Sequence, residues 1–430
     1  MTMDASRAIC AVAGVLSALV IYTAVVPLLP AHAQTASGPS ASAPRGNLRA
    51  RTRKVPSQPP IAAPQPKPLP RTPFTAAEDA AAAIPGMPDA RFWADSTDDF
   101  NNALPSKPGP WLILSSGGED GAFGAGLLNG LTASGKRPDY SVVTGVSTGA
   151  LIAPFAFAGA RYDDALRDAF TKITSADIFE IGATPESFVN TWPLKDLIAK
   201  EITPQLIADI AAQYRAGRRL FVITTDLDAE RTVVWNMGAI AAHGGEAARE
   251  LFRNVLLAST SIPGAFPPTL IDVEAGGKHF AEMNVDGGVG GQFFVAPAPL
   301  MAAASAYKLP ASELYVVVDS GLQPTSEVVP RSIEAILTQS VDMMVKVDTR
   351  LMLDRAYLVA RRSGIGFNVA SIPQDFHAPS RGAFDPDYMK ALFQAGFNLG
   401  KSAAPFNAVP PPYPGPPESQ VQEPEKAGAN

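Results

Sequence analysis

The stretch that decides the fold reads Tyr140-Ser141-Val142-Val143-Thr144-Gly145-Val146-Ser147-Thr148-Gly149-Ala150-Leu151-Ile152. Tyr140 to Thr144 predicts a buried strand, and Gly149 to Ala160, all but free of polar residues, predicts a helix. Between them lies Gly145-Val146-Ser147-Thr148-Gly149, a G-x-S-x-G. A chain that turns sharply from strand to helix strains its central serine, so the residues two before and two after must lack bulk. The turn also sets Ser147 at a helix N-terminus, whose partial positive charge favours a developing anion. Ser147 is therefore a candidate nucleophile, with an ordinary turn serine as the plain alternative.

The same alternation runs through the body of the chain. Trp111 to Leu114 is a short apolar run after Pro110, read as a buried strand, and Ala122 to Leu131 reads as a helix. Gly124, Gly126 and Gly130 mark that helix as packed closely against a neighbour. Leu220 to Thr225 and Arg231 to Trp235 are strands joined by a turn from Asp226 to Glu230. Glu246 to Ala258 is helical, Leu314 to Val318 a strand, and Ser332 to Leu358 a long amphipathic helix. Its apolar face carries Ile333, Ile336, Leu337, Val341, Met344 and Val345. Strands alternating with helices predict an α/β sandwich with a largely parallel sheet.

A second glycine-rich turn, Ser116-Gly117-Gly118-Glu119-Asp120-Gly121, also joins a predicted strand to a predicted helix. The unpaired N–H groups of such a helix start suit a phosphate or an oxyanion equally well. No Lys-Ser/Thr of a P-loop follows, which argues against nucleotide. A serine nucleophile needs a base. His32, His243, His279 and His377 are the four histidines, and none has a distinguishing local motif. Asp286 lies in Val285-Asp286-Gly287-Gly288-Val289, a glycine-flanked turn after an apolar stretch, and is the alternative.

These blocks, in this order, resemble the patatin-like phospholipase family: Ser-Gly-Gly-x-x-Gly, then Gly-x-Ser-x-Gly, then Asp-Gly-Gly. Ala258-Ser259-Thr260-Ser261-Ile262-Pro263-Gly264-Ala265-Phe266-Pro267-Pro268 is similar to a further apolar block of that family, and the 224–234 hairpin is similar too. The resemblance covers about Trp111 to Gly321. It implies a three-layer α/β/α sandwich with a helical C-terminal extension. It also implies that Ser147 is the nucleophile, Asp286 its base in a two-residue dyad, and Gly117, Gly118 and Glu119 the backbone donors of an oxyanion hole. Gly121, Gly145, Gly149, Gly287 and Gly288 complete the motifs. There are two departures. Ser116 replaces the family's first glycine, and Asp120 stands where the family has a cation, which turns the expected preference toward neutral esters rather than anionic phospholipids. Asp120 reads either as opposing a nearby phosphate or as capping the helix that follows. Burial among neighbours such as Phe266 and Val289 is expected to raise the pKa of Asp286.

The chain of 430 residues is 46% hydrophobic and has 41 prolines and one cysteine, Cys10. An internal disulfide and a cysteine metal site are thereby excluded. Ala8 to Leu29, closing on Ala31-His32-Ala33, has the arrangement of a secretory signal. Residues 1–33 are therefore expected to be a signal peptide for export to the periplasm or cell envelope, with an N-terminal membrane anchor as the alternative. Residues 34–75 read as a proline-rich basic linker and 404–430 as a proline-rich tail. The acyl-hydrolase domain between them spans 76–403, with a motif core of 111–321 and a mainly helical extension of 322–403. The formal net charge is −6, yet seven basic and no acidic residues fall between Ala33 and Ala77, so the body is acidic. That argues against a nucleic-acid partner and leaves peripheral contact with a membrane open.

The expected function is a serine acyl-hydrolase cleaving carboxylic esters of lipids, with no cofactor and no metal. Asp226 and Asp228 are read as turn residues rather than cation ligands. The rivals are a Ser-His-Asp esterase or peptidase, and a non-catalytic lipid- or envelope-binding protein on a degenerate scaffold.

Overall fold

The computed structural model describes residues 70–413 apart from 303 and 325–327. The expected signal peptide, nearly all of the linker, and residues 414–430 of the tail lie outside the described residues. Among the described residues, nine strands form one sheet. They are β1 (Arg91–Trp93), β2 (Pro110–Leu114), β3 (Val142–Val146), β4 (Arg219–Asp226), β5 (Arg231–Asn236), β6 (Thr269–Ala275), β7 (Lys278–Asp286), β8 (Glu313–Val318) and β9 (Gly366–Ser371). The order is β1-β5-β4-β3-β2-β8-β9, with β7 joining β4 and β6 joining β7. The five strands β4, β3, β2, β8 and β9 are mutually parallel. Within this sheet β5 and β7 pair antiparallel to β4, β1 to β5, and β6 to β7.

Both faces of the sheet are covered, which is why its central strands read as unbroken apolar runs. Leu112 and Leu114 of β2, with Leu220 and Val222 of β4, face one core. Trp111, Ile113, Phe221 and Ile223, the alternate residues, face the other. The first core is closed by α1 (Gly121–Ala133), α2 (Thr148–Ala158), α3 (Asp163–Thr171), α4 (Trp192–Glu201) and α5 (Gly245–Ser259) among others. The second is closed by the C-terminal half of α6 (Ile333–Ser363), through Leu353, Ala356, Val359 and Ala360. This is a three-layer α/β/α sandwich.

The close neighbour of α1 is α7 (Pro386–Lys401). A side chain at Gly126 or Gly130 would collide with the carbonyls of Phe393 or Phe397. The C-terminal region is helical, as expected, but it also supplies β9, an edge strand paired in parallel to β8. Alternation is weak in Gly-Phe-Asn-Val-Ala-Ser, so this strand left little trace in the sequence. The face expected of α6 is corrected: Ile333, Ile336 and Met344 are exposed, because the N-terminal half of the helix extends past the core.

The folded body extends beyond 76–403 at both ends. Phe74 stacks on Phe280, and Asn407 exchanges two backbone hydrogen bonds with Val369. Among the described residues, no helix is long and apolar enough to cross a membrane.

Candidate active site

β3 runs buried to Val146, the chain reverses at Ser147, and α2 begins at Thr148. Ser147 takes φ 53° and ψ −120°, a conformation that costs a non-glycine residue on the order of 1–3 kcal/mol. A β-carbon at Gly149 would come within 2.6 Å of the carbonyl oxygens of Leu114 and Ser115, and one at Gly145 would strike the carbonyl of Gly149. The turn therefore closes only with glycine at both places. The Ser147 N–H donates to Ser259 Oγ at 3.0 Å, and Ser259 donates in turn to the Ile223 carbonyl at 2.7 Å. Ser259, at the end of α5, thus pins the turn to β4. The apolar block containing it was visible in the sequence, but its role was not.

Asp286 reaches Ser147 because two strands share one edge of β4. β3 pairs with β4 as far as Val146 opposite Ile223, and β7 takes over with Asp286 opposite Thr224. Ser147 Oγ donates to Asp286 Oδ2 at 2.6 Å. The other oxygen, Oδ1, accepts from the Gly288 N–H at 2.7 Å. Both residues are only 6% exposed. Burial pushes the Asp286 carboxyl up to about 6, against the two hydrogen bonds that hold it down. Val289 takes no part in that burial, contrary to expectation: it is 53% exposed, since the short turn Gly287–Val289 points it outward. Gly287 packs its backbone against the Ile223 carbonyl, where a side chain would not fit.

The loop at Ser116–Gly121 lies beside this pair. Gly118–Asp120 form a 3-10 turn that leads directly into α1, so the Gly118 and Glu119 N–H groups have no helical partner. Gly118, at φ +58°, lines one cavity together with Ser147. Gly117 abuts the Asp319 carbonyl, and Gly121 abuts the Thr148 side chain. Ser116 Oγ donates to Gln292 Oε1, the Ser116 N–H donates to the Gln292 carbonyl at 2.8 Å, and Gln292 Nε2 donates to the Gly288 carbonyl at 3.0 Å. The serine that departs from the family pattern thus ties the donor loop to the turn that carries Asp286. Gln292 lay outside every motif and gave no signal.

Acidic groups crowd the far side of this loop. Glu119 accepts from the Phe384 N–H, and burial pushes its carboxyl up to about 7. Asp120 accepts from the Tyr388 hydroxyl at 2.7 Å, and burial pushes it up to about 6. It makes no side-chain cap on α1, so the capping expectation is not met; Tyr388 of α7 holds it instead. Asp319, fully buried at the end of β8, accepts from the Gly124 N–H at 2.8 Å with Oδ1, while its Oδ2 has no partner among the described residues. Burial holds it well above the usual carboxylate range.

From Ser147 an apolar cavity of about 90 Å³ runs between Leu151 and Phe155 of α2, Phe170 of α3 and Ile198 of α4. Two of the three described histidines pair with other carboxylates. His243 pairs with Asp89 at 2.9 Å and His279 with Glu274 at 3.5 Å, both at exposed positions.

Fold and site together define an α/β/α sandwich with an elbow serine bonded to a buried aspartate. Residues 112–304 match the family model of the patatin-like phospholipases. β8, β9, α6 and α7 lie beyond the matched segment. Two solved structures are similar. One is VipD from Legionella pneumophila, at 10% identity and TM-score 0.36, covering 68% of this chain and 66% of that one. The other is the type III effector protein ExoU, at 14% identity and TM-score 0.29, covering 69% of this chain and 54% of that one. The chain thus spans less than two thirds of either. No curated protein matches the sequence.

Proposed function

We propose that the chain is a serine acyl-hydrolase that cleaves carboxylic esters of lipids through a Ser147–Asp286 dyad. The observation that carries this reading is the 2.6 Å hydrogen bond from Ser147, on its strained turn, to a buried carboxylate. Ser147 Oγ attacks the acyl carbon and its proton passes to Asp286 Oδ2. The carbonyl oxygen becomes an oxyanion facing the N–H groups of Gly118 and Glu119, each worth roughly 3 kcal/mol to the transition state. Collapse expels the alcohol, which takes the proton from Asp286. A water then attacks the acyl-enzyme, gives one proton to Asp286, and releases the fatty acid as Ser147 recovers its hydrogen.

A carboxyl near 6 is a better base at neutral pH than one at its ordinary value, and the apolar cavity beside Ser147 suits an acyl chain. The pairings of His243 and His279 involve neither Ser147 nor Asp286, which disfavours those two histidines as the base. Peripheral contact with a lipid surface is supported by α6. Asp342 and Lys346 of that helix act on the charge of Asp120, so α6 flanks the donor loop. Nearby Met343 and Met344 are 65% and 69% exposed. The catalytic unit is proposed as the described body, and export to the periplasm or envelope stays a proposal resting on residues 1–33.

The test is fatty-acid release from phospholipids, diacylglycerols and p-nitrophenyl esters by the wild type and Ser147→Ala. Release by the wild type and none by the variant supports the reading. Equal release by both defeats the dyad, and none from any ester favours a non-catalytic binding protein.

A further inference from the structure

Apart from the elbow serine, on β4 and on the strand β7 that ends in Asp286, Asp226 and Glu282 meet Asp79, and the three bring one carboxylate oxygen each to within 4.8 Å of one another. Asp226 ends β4, Glu282 lies within β7, and Asp79 belongs to the short helix Ala76–Ala80 that packs over them. All three are more than nine-tenths buried. Carboxylates are almost never buried so without compensation, because an uncompensated charge in the interior costs several kcal/mol.

The compensation on hand is incomplete. Arg91 pairs with both oxygens of Glu282, at 2.7 Å for the longer bond. Arg71 is engaged by Asp228, and Arg231 by Asp95. Three carboxylates against one guanidinium leave two negative charges. Asp226 Oδ1 does serve the turn, accepting from the Asp228 and Ala229 N–H groups at 2.8 and 3.3 Å. Its Oδ2, however, is buried without a partner, and so is Asp79 Oδ1. Asp79 also lines a polar surface pocket of about 540 Å³ bounded by Arg71, Thr75 and Asp228, which gives an ion a route in and room for its waters.

We infer that Asp79, Asp226 and Glu282 form a site for a hard divalent cation of the calcium class. Oxygen-only donors select such an ion, whose remaining ligands are waters from the pocket. Its two charges match the two left unpaired. The ion joins the helix Ala76–Ala80 to β4 and β7, and so braces the strands that place Asp286. The site stands independently of the proposed hydrolase.

The full-length chain, stripped with EDTA and dialysed, is titrated with CaCl2 by calorimetry at pH 7 while its melting temperature is followed. One Ca²⁺ per chain is expected, with Tm rising by roughly 3–4 °C near 100 times Kd. Asp79→Asn and Asp226→Asn, which keep the shape of the side chain, are each expected to weaken binding at least tenfold. Binding that is unchanged in both variants overturns the site. So does a wild type with no heat of binding and a Tm indifferent to CaCl2, which would mean that Asp79 and Asp226 share a proton instead.

Discussion

Asp286 continues the edge of β4 that Val146 leaves: Val146 lies opposite Ile223, and Asp286 lies opposite Thr224, the next residue. The parallel strand stops so that its chain can turn into the serine elbow, and the antiparallel strand arrives from the other direction to fill the vacated position. Ser147 and Asp286 therefore meet through strand register rather than through a flexible loop. A site held this way keeps its geometry without substrate.

Asp286→Asn removes the proton acceptor but keeps the shape, so kcat is expected to fall at least ~10³-fold with KM little changed. Stability moves the other way. The folded-state pKa is raised, so Asp286 favours the fold at low pH and loses that contribution as pH climbs through about 6. At pH 8 the charge destabilises the native state by up to ~2–3 kcal/mol, for a shift of about two units. Asp286→Asn should accordingly melt no lower than wild type at pH 8, measured by calorimetry. A clearly lower Tm would contradict the raised pKa.

The pH profile of kcat/KM should rise through about 6 as Asp286 loses its proton. It should fall again above about 7, where Glu119 ionises beside its own backbone donor. Asp120 and Asp385 face Glu119 and hold its carboxyl up further, while the Phe384 N–H holds it down. Glu119→Gln should remove the alkaline limb and leave the acid limb in place. An alkaline limb that persists in Glu119→Gln assigns it to another group.

Ser259→Ala strands the buried Ser147 N–H without an acceptor. A loss of about 1–3 kcal/mol in stability is expected from that alone. Because the turn loosens, kcat/KM should fall roughly tenfold at an unchanged KM. Denaturant melts and steady-state kinetics check both halves.

Burial favours the neutral form of Asp319, so Asp319→Asn should retain at least about half of the wild-type activity and nearly all of its stability. Asp319→Ala, by contrast, leaves the Gly124 N–H unpaired and should lose about 1–3 kcal/mol. Similar damage from both substitutions would mean that Asp319 is charged.

Met343→Gln with Met344→Gln should weaken cosedimentation with phosphatidylglycerol vesicles at least threefold, while hydrolysis of a soluble p-nitrophenyl ester stays unchanged. Equal vesicle binding would remove α6 from the lipid-facing surface.

The sheet was legible wherever both of its faces are buried. Trp111 to Leu114, Leu220 to Thr225 and Leu314 to Val318 carry unbroken apolar runs because α-helices cover them on either side. β7 was harder to read, since its burial alternates along Lys278–Asp286 and the apolar signal is diluted by His279, Glu282 and Asn284. β9 was missed because Gly366–Ser371 is short and carries only Phe367 and Val369 as large apolar residues, while α7 falls in the region expected to be mainly helical. At the site, Ser147 and Asp286 were marked by glycines that close approach demands. Ser259 and Gln292 act through single hydrogen bonds to backbone, which leave no spacing rule behind. The partners of Glu119 and Asp120 come from Phe384 and Tyr388, some 265 residues away, and only tertiary packing brings them there.

The most direct test of the dyad is the mass of the adduct formed with a fluorophosphonate probe, mapped by peptide. One phosphonyl group is expected on the peptide containing Ser147, none on Ser147→Ala, and labelling of Asp286→Asn is expected to slow at least ~10²-fold. A probe adduct on any other residue, or equal labelling rates for wild type and Asp286→Asn, would contradict the assignment of Ser147 and Asp286 as nucleophile and base.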